Sequence, residues 1–541
     1  MIYLVSNQTF TYKSNLYQII SVEESLQILE SIQIVGLDTE TSGLDPYTND
    51  LLLLQLGCKD FQVVIDATTI NPVNYRQYLE SNRLFLGWNL KFDLKWLYKY
   101  NIWPKNVYDG FLAEKLMWLG YPAGMHSMSL KTAGETYCNI ELDKSIRGKI
   151  IWSKTLSDDI IEYAANDVKY LEDIKNAQEK LLKEKDLLLA CKVENAFLFS
   201  IAYFEYCGVK LDIEKWKDKM KKDQESAQIA LDSCNKWIID FYQSHNGNNG
   251  FIEIVEDFLF RVSDYDLNRE DSYTPKGNFT VLEPLQKRVK VGEDNHEYYE
   301  YHAKISTKHK FPYIFVETQG DLFSGFDTSP QCNINWNSAK QLIPIFKLFG
   351  INVEVEDKSK GGIKDSIDAK CLGPQKDKCS LIPIYLKYKE ASKVTSTYGE
   401  SFLKQINPVS GRIHTNLNQL GTDTGRLSSG GKDRENHIEY LNIQNLPADS
   451  ETRACFVAEP GNKWISIDYS GQETYLMASI AEDQAIIKEL TEGSGDIHSL
   501  TAYMSYSEIP RNTPIKDIKK LYHNLRQDAK GIEFAINLLY L

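Results

Sequence analysis

The chain lacks several patterns that would place it outside a cell or across a membrane. No run of about 18 apolar residues could form a transmembrane helix, and the first ten residues have neither the basic start nor the apolar core of a signal peptide. The nine cysteines form no CxxC pair, which argues against a zinc knuckle and a secreted disulfide framework. We therefore predict a cytoplasmic protein with reduced thiols.

Acidic residues outnumber basic ones in this chain. The 541 residues include 61 Lys and Arg against 75 Asp and Glu, which gives a net charge of −14 at pH 7. Binding to a nucleic-acid backbone requires local rather than total positive charge, so this balance does not exclude it. A lysine-rich stretch at 340–393 offers such a region, although its charge is equally typical of a solvated helical face. The length predicts three or four structural units.

Strand patterns come first along the chain and helical patterns follow. Apolar stretches separated by turn residues predict three strands within 31–68. Apolar residues three and four positions apart predict helices from about 73 to 190. This order predicts an α/β or α+β domain that ends near residue 190.

The rest of the chain is mostly helical, with short strands between. Long helices broken at Gly208 open this part, and short strands are predicted within 244–330. Helical periodicity returns near 337–350 and 382–406. After residue 411 the pattern predicts short strands, among them WISIDYS at 464–470, and then a helix from about Gln472.

Four acidic residues of the first domain are candidates for a metal site. Asp38 and Glu40 end the strand IQIVGLDTE one residue apart, so both side chains leave the same face. Asp93 lies near the edge of a helix's apolar face, and Asp167 follows Tyr163 by four residues on another helix. Carboxylates suit Mg²⁺ or Mn²⁺, and two such ions about 4 Å apart can assist phosphodiester cleavage. The alternative is that these acids form salt bridges.

In this order, the motifs LDTETSGLD, NLKFD and YAANDVKYL resemble those of the DEDD superfamily of exonucleases, in its tyrosine-bearing subtype. The resemblance covers about residues 25–185 and implies a ribonuclease-H-like fold with 3′-5′ exonuclease activity. It also implies that the four acids hold two Mg²⁺ or Mn²⁺ ions and that Tyr163 orients the attacking water. Leu44 would help to wedge the terminal base.

A second group of polar motifs lies after residue 410, and each is weak by itself. GRIHTNLNQLGTDTGRLSSG offers arginines for phosphates, and LNIQNLP offers amides for minor-groove acceptors. KWISIDYSGQE places Asp468 at a predicted strand end and Glu473 at a helix start. In RQDAKGIEF, Arg526, Lys530 and Phe534 share one helical face that could hold a triphosphate and a base. An amphipathic surface helix is the alternative for this last motif.

Together these stretches resemble the family A DNA polymerases of the bacterial polymerase I type, especially phage forms, from about residue 190 to 537. The resemblance implies an exonuclease domain at 1–190 and an incomplete right-hand polymerase domain at 191–541. The polymerase domain would have its thumb at about 215–400, palm motif A at about 411–480 and the start of the fingers at 481–541.

The same resemblance implies roles for individual residues. Asp468 and the Tyr469 carbonyl would bind a catalytic metal, and Lys530 would lie near the triphosphate as a proton donor. Nucleotide contacts are implied for Glu473, His498, Arg526 and Phe534. Primer and template contacts are implied for Arg426 and Gln444. Arg453, in TRACF, matches a family position whose role we leave open.

The resemblance stops after Asn537, where family members continue with a Tyr-Gly pair and later a His-Asp-Glu strand. Leu538 follows instead, so Asp468 is expected to lack its partner carboxylate unless splicing or a separate C-terminal fragment supplies it. We therefore expect an interrupted gene for a replicative DNA polymerase with proofreading, which uses primer-template DNA and dNTPs in the nucleoid or a host cytoplasm. The first alternative is a metal-dependent 3′-5′ exonuclease that binds primer-template. The second is a non-catalytic DNA-binding remnant.

Overall fold

The computed structural model describes residues 1–9, 14–122, 124–141, 156–244, 286–291, 297–302, 314–315, 331–332, 334–357, 361–433, 438–469 and 471–539. These residues form two compact units, 1–457 and 458–541. The predicted strands and loops of 244–330 lie mostly outside the described residues.

A seven-stranded mixed sheet lies at the centre of the first domain. Its strands are β1 (Ile2–Val5), β2 (Tyr17–Ile19), β3 (Ile34–Thr41), β4 (Leu51–Gly57), β5 (Gln62–Asp66), β6 (Leu84–Gly87) and β7 (Asn106–Asp109). The order across the sheet is β2-β1-β5-β4-β3-β6-β7, and β4 runs antiparallel to both of its neighbours. The three predicted strands, β3 to β5, are confirmed. The other four were missed because runs of three or four residues show too little periodicity.

Helices cover both faces of this sheet. They are α1 (Val22–Leu29), α2 (Arg76–Leu79), α3 (Lys91–Lys99), α4 (Gly110–Met117), α5 (Leu130–Ala133), α6 (Asp158–Lys169), α7 (Leu171–Glu184) and α8 (Leu188–Cys207). On β4, Leu54 and Leu56 join the core that contains Leu94 and Leu97 of α3. Leu53 joins the opposite core, which contains residues of α6. Because both faces are covered, β4 reads as a nearly continuous apolar run.

The remainder of the first unit begins where α8 ends at Gly208. Its elements are β8 (Val209–Lys210), α9 (Ile213–Ser244), β9 (Gln286–Val291), β10 (Glu297–His302), β11 (Ile314–Phe315), β12 (Gln331–Cys332), α10 (Ala339–Leu348), β13 (Glu354–Glu356), β14 (Ile363–Asp365), α11 (Ala369–Leu372), α12 (Leu381–Thr397), α13 (Glu400–Leu403), β15 (Arg412–Ile413), β16 (Leu417–Asn418), β17 (Ser428–Ser429), β18 (Gly431–Asp433), β19 (Ile438–Tyr440) and α14 (Ser450–Ala454). The predicted break at Gly208 is confirmed. Its φ is +60°, and a Cβ there would lie 2.7 Å from the Ile413 carbonyl oxygen.

The second unit is helical where it is described. It contains α15 (Gln472–Ile480), α16 (Gln484–Glu492), α17 (Ile497–Ser505), α18 (Ile515–Leu521) and α19 (His523–Leu539). The helix predicted from Gln472 is confirmed, but the strand predicted for WISIDYS is wrong. Ile465 and Ile467 are 79% and 89% exposed, and residues 462–469 pair with no strand among the described residues. The alternating pattern is present, but a strand also requires a hydrogen-bonding neighbour.

Two predictions about the whole chain can be compared with this fold. All nine cysteines are free thiols in this fold, four of them buried. Within the described ranges, no helix combines the length and apolar character needed to span a membrane.

Candidate functional site

Three of the four predicted carboxylates meet at one place in the first domain. Asp38 and Glu40 leave the same face of β3, and Asp167 extends from α6, which packs across β3, β4 and β5. Their carboxylates offer oxygens that all lie within 4.8 Å of one another. This spacing suits ligands of a shared cation.

Glycine at position 36 allows α6 to approach the sheet closely. A Cβ on Gly36 would lie 2.5 Å from the carbonyl oxygen of Val168. Val168 follows Asp167 directly in α6, so a side chain at position 36 would push the helix away from β3. The distance between Asp167 and the two strand carboxylates therefore depends on this glycine.

Asp93 lies outside the group of three. It is in the first turn of α3 and is only 2% exposed, so it is buried together with the apolar face near whose edge it was predicted to lie. Thr39 Oγ1 donates a hydrogen bond of 2.6 Å to Asp93 Oδ1. Burial raises the pKa of Asp93 to about 8; the Thr39 bond opposes the shift, and Asp109 and Glu40 add to it. The structure therefore joins Asp93 to β3 through Thr39, a residue that the sequence analysis did not select.

Tyr163 projects from α6 beside Asp167, as its four-residue spacing predicted. It is 6% exposed. Burial raises the pKa of Tyr163 far above its ordinary value of 10, and the carboxylates of Asp167, Glu40 and Asp38 raise it further. The phenol therefore keeps its proton and can serve as a hydrogen-bond donor at the carboxylate group.

Gln55 is a further polar residue at this site. It is the register partner of Asp38 on β4, so the two side chains lie on the same face of the sheet. Gln55 is fully buried, and neither polar atom of its side chain has a hydrogen-bond partner among the described residues. The only sequence signal was one amide within the apolar strand LLLLQLG. Three carboxylates and an orphaned buried amide suit a hydrated divalent cation.

The predicted wedge residue, Leu44, lies in the loop that joins β3 to β4. This loop spans residues 42–50 and is closed by a hydrogen bond of 2.9 Å from Ser42 N to Asp50 O. Leu44 is half-buried, one position before Asp45. The loop thus leaves the sheet only two residues after Glu40, which places Leu44 near the carboxylates in sequence and on the same β-hairpin.

Three predicted polymerase residues lie at the surface of the first unit. Arg426, Gln444 and Arg453 are all exposed. Gln444 Nε2 donates to the Leu427 carbonyl at 3.1 Å, which joins the two motifs that were predicted to contact DNA. Arg453 lies in α14, next to the buried Thr452.

The other predicted polymerase residues lie in the second unit. Asp468 and Tyr469 are exposed, and Glu473 is in the first turn of α15. His498 is on α17, which packs against α19. The side chain of Phe534 lies outside the described residues. Among the described residues, the carboxylate group that could share a metal is that of the first unit, and Asp468 is not part of it.

Arg526 already has a protein partner. Its Nη2 donates to Asp496 Oδ1 at 2.9 Å, and its Nε lies 3.2 Å from Asp496 Oδ2 and 3.1 Å from Ser499 Oγ. Lys530 is four residues further along α19, as the sequence predicted, and is half-buried. The ion pair fixes one predicted phosphate contact against α17.

Comparison with known protein families gives two matches along the chain. Residues 15–183 match the model of a 3′-5′ exonuclease domain, and residues 324–539 match the model of DNA polymerase family A. These matches follow the order expected from the motifs.

Two relatives show how far this similarity extends. DNA polymerase I of Borreliella burgdorferi is 25% identical over 536 residues, which cover 96% of this chain and 46% of that protein. DNA polymerase I of Caldicellulosiruptor bescii is 36% identical over 207 residues, which cover 37% of this chain and 22% of that protein. The matched region therefore covers less than half the length of either relative.

One solved structure matches almost the whole chain. It is the polymerase domain of Pol1 from M. smegmatis in complex with DNA primer-template and dNTP. The TM-score is 0.58 at 19% identity, with 93% of this chain and 67% of that chain covered. At this identity the similarity concerns the fold, and it confirms the predicted fold class.

Proposed function

We propose that this chain, which belongs to DNA polymerase family A and carries a 3′-5′ exonuclease domain, removes nucleotides from the 3′ end of DNA with the help of divalent metal ions. The observation that carries the proposal is the group formed by Asp38, Glu40 and Asp167. Two Mg²⁺ ions, or Mn²⁺, are the proposed cofactors because these metals prefer oxygen ligands.

The protein's own residues contribute binding and positioning. Asp38, Glu40 and Asp167 would hold the metal, with Asp93 as a fourth ligand and Gln55 as a hydrogen-bond donor to coordinated water. A bound divalent metal would neutralise charge that develops on the phosphate. Tyr163 keeps its proton and would orient the attacking water, and Leu44 would hold the terminal base away from its neighbour. DNA, dNTPs and a cytoplasmic location remain parts of this proposal.

The experiment is degradation of a DNA primer labelled at its 5′ end, annealed to a template and incubated with Mg²⁺. We expect stepwise shortening from the 3′ end by the wild-type chain and none by the Asp38→Ala/Glu40→Ala variant. A suitable control is Asp173→Asn, which removes only an exposed ion pair with Lys59. Equal degradation by the double variant and by wild type would refute the assignment.

Template-directed DNA synthesis is the second proposed activity. It is supported by the family A match over residues 324–539. It is also supported by Arg526 and Lys530 lying on one helix, as the motif requires. Because Asp468 belongs to no group of three or more potential metal ligands among the described residues, we propose that synthesis depends on a carboxylate from another polypeptide segment.

The same labelled primer-template distinguishes the two activities once dNTPs are added. We expect the purified chain to shorten the primer and not to extend it. Extension by this chain alone would contradict the proposed dependence on a further segment. An Asp468→Ala variant should then lose extension but retain degradation if the two sites are separate.

A further inference from the structure

The loop that carries the predicted wedge residue is attached to a part of the chain far outside the exonuclease domain. The attachment joins Asp45, in the 42–50 loop, to Asn407, in the turn that precedes β15. Asn407 Nδ2 donates to Asp45 Oδ2 at 2.5 Å across 362 positions of sequence. Asp45 directly follows Leu44, so this contact acts on the wedge position itself.

The Asn407 side chain has only one orientation that satisfies its neighbours. Its Oδ1 accepts hydrogen bonds from Val409 N at 2.9 Å and Ser410 N at 3.1 Å. An amide oxygen used in this way leaves the Nδ2 group directed at Asp45. The turn is closed by backbone bonds from Asn407 N to Arg412 O and from Gly411 N to Asn407 O, each 2.9 Å long. The donor is therefore fixed before any DNA binds.

Asp45 organises the loop on its own side of the contact. Its Oδ1 accepts from Tyr47 N at 3.0 Å, and its Oδ2 accepts from Thr48 Oγ1 at 2.9 Å. Its carbonyl oxygen accepts from Thr48 N at 3.2 Å and from Asn49 N at 3.0 Å. A shift of Asp45 would therefore move the whole loop rather than one side chain.

Tyr47 provides a second attachment to the same region. Its ring is stacked on Tyr206 at a centroid distance of 5.2 Å, and its hydroxyl donates to the Tyr206 carbonyl at 2.8 Å. The ring also lies 4.9 Å from His414, whose Nε2 is 2.7 Å from Ser410 Oγ in the Asn407 turn. The Asn407 bond and the Tyr47–His414 ring contact therefore hold the loop against residues 407–414, and the contacts of Tyr47 with Tyr206 hold it against α8.

We propose that Asn407 is a positioning residue for the exonuclease reaction: it sets the place of Leu44 and so determines how readily a paired 3′ end is separated and degraded. The inference rests on the proposed exonuclease function. An end that is already single-stranded needs no wedge, so its degradation should not depend on Asn407. Loss of a hydrogen bond to a carboxylate predicts a change of about tenfold in the step that requires the wedge.

The main test compares 3′-nucleotide release by the full chain from a single-stranded oligonucleotide and from a fully matched primer-template, with Mg²⁺. For Asn407→Ala we expect KM for the paired substrate to rise about tenfold, with kcat on the single strand unchanged within about twofold. The matched control, Asn352→Ala, changes an exposed asparagine that bonds Glu354 N and should leave both substrates unaffected. Tyr47→Phe removes one hydroxyl and should act in the same direction more weakly.

A second variant that restores the Asp45–Asn407 hydrogen bond distinguishes a positioning role of Asn407 from a general structural role. The double variant Asp45→Asn/Asn407→Asp exchanges donor and acceptor and retains an acceptor for each turn, so it should restore the paired-substrate KM. Equal kinetics of Asn407→Ala and wild type on paired ends would overturn the inference. An equal loss of activity of Asn407→Ala on the single strand would also overturn the inference. The same holds if the exchange variant keeps the wild-type melting temperature but does not restore KM for the paired substrate.

A binding measurement keeps this inference distinct from the proposed function. With Ca²⁺ in place of Mg²⁺, a 2-aminopurine at the 3′ end of the paired primer reports base separation by its fluorescence. We expect an increase with the wild type, a smaller one with Asn407→Ala and recovery with the exchange variant. If the wild type separates the base in Ca²⁺ but never cleaves in Mg²⁺, the exonuclease function is refuted, while a smaller fluorescence change with Asn407→Ala would still support the role of Asn407 in placing Leu44. A fluorescence change that is identical in all variants would refute the positioning role.

Discussion

Glu205 is expected to be the most sensitive charged residue for the stability of the first unit. It lies near the end of α8 and is 3% exposed. Its Oε1 accepts from Lys91 Nζ at 2.8 Å and from Leu417 N at 2.6 Å, and its Oε2 accepts from Lys95 Nζ at 2.8 Å. Lys91 also donates to Asn416 Oδ1 and to the Leu417 carbonyl. One carboxylate thus connects α3 and α8 with the segment around β16.

The perturbation is Glu205→Gln, which keeps the side-chain shape and an acceptor for Leu417 N but removes the charge. The Lys91 and Lys95 side chains are only 14% and 19% exposed, so both would be left as poorly solvated cations. Removing one partner of a buried pair costs about 3–5 kcal/mol. Because Gln retains the Leu417 bond, we expect about 3 kcal/mol. Burial lowers the pKa of Lys91 despite Glu205, so adding Lys91→Met should recover about half of that loss.

The assay is hydrogen exchange of the Leu417 amide and of the α3 amides, which reports local opening of this region. Burial opposes ionisation of Glu205, but Lys95, Lys91 and the Leu417 amide outweigh it and lower its pKa. The stabilisation that ionised Glu205 gives to the folded state is therefore complete when the pH is above its ordinary pKa of 4.5. This stabilisation is lost as the pH falls through the lower pKa of the folded state. A Glu205→Gln variant within about 0.5 kcal/mol of wild type at pH 7 would refute this reasoning. A Glu205→Gln/Lys91→Met variant that is less stable than Glu205→Gln alone would also refute this reasoning.

Three further predictions concern the carboxylate group. Thr39→Val removes the hydrogen-bond donor to Asp93 and should lower nuclease activity about 10- to 100-fold at limiting Mg²⁺. Activity should recover at saturating Mg²⁺, and a loss that does not depend on the Mg²⁺ concentration would contradict this prediction. Gly36→Ala places a methyl group against Val168 O and should therefore force α6 away from β3, lower the free energy of unfolding by about 1–3 kcal/mol and abolish most degradation; unchanged activity would argue against the close approach. Tyr163→Phe should lower kcat about 10²-fold or more with little effect on KM, and a pure KM effect would exclude a role in orienting water.

Much of the fold could be predicted where a pattern was long and local. Strands β3 to β5 carry strong apolar runs, and the helices from α6 to α9 repeat apolar residues over three or more turns. Short strands such as β1 and β7 could not be predicted because four residues do not establish a period. The strand predicted at 464–470 shows the opposite error, since its alternation is clear but no strand among the described residues pairs with it.

In the candidate site too, contacts within one element could be predicted from the sequence, and contacts between elements could not. Asp38 with Glu40, and Tyr163 with Asp167, could be paired from sequence because each pair lies within one strand or one helix. The positions of Gln55 and Thr39 at the site could not be predicted, because Gln55 lies beside Asp38 only through strand pairing and Thr39 bonds Asp93 of a different element. Asp93 was selected as a candidate by its motif, whereas its burial and its bond to Thr39 depend on how α3 packs against β3.

The sequence by itself therefore determined which residue types could form a metal site and in what order they occur, since strand alternation and helix periodicity are local properties of the chain. Tertiary structure decided how close these residues come to one another. Gly36 allows α6 to pack closely against β3, and this packing brings Asp167 next to Glu40. It also decided that Asn407 meets Asp45, 362 positions away. No local pattern contains such a contact, because it exists only when the chain folds back on itself.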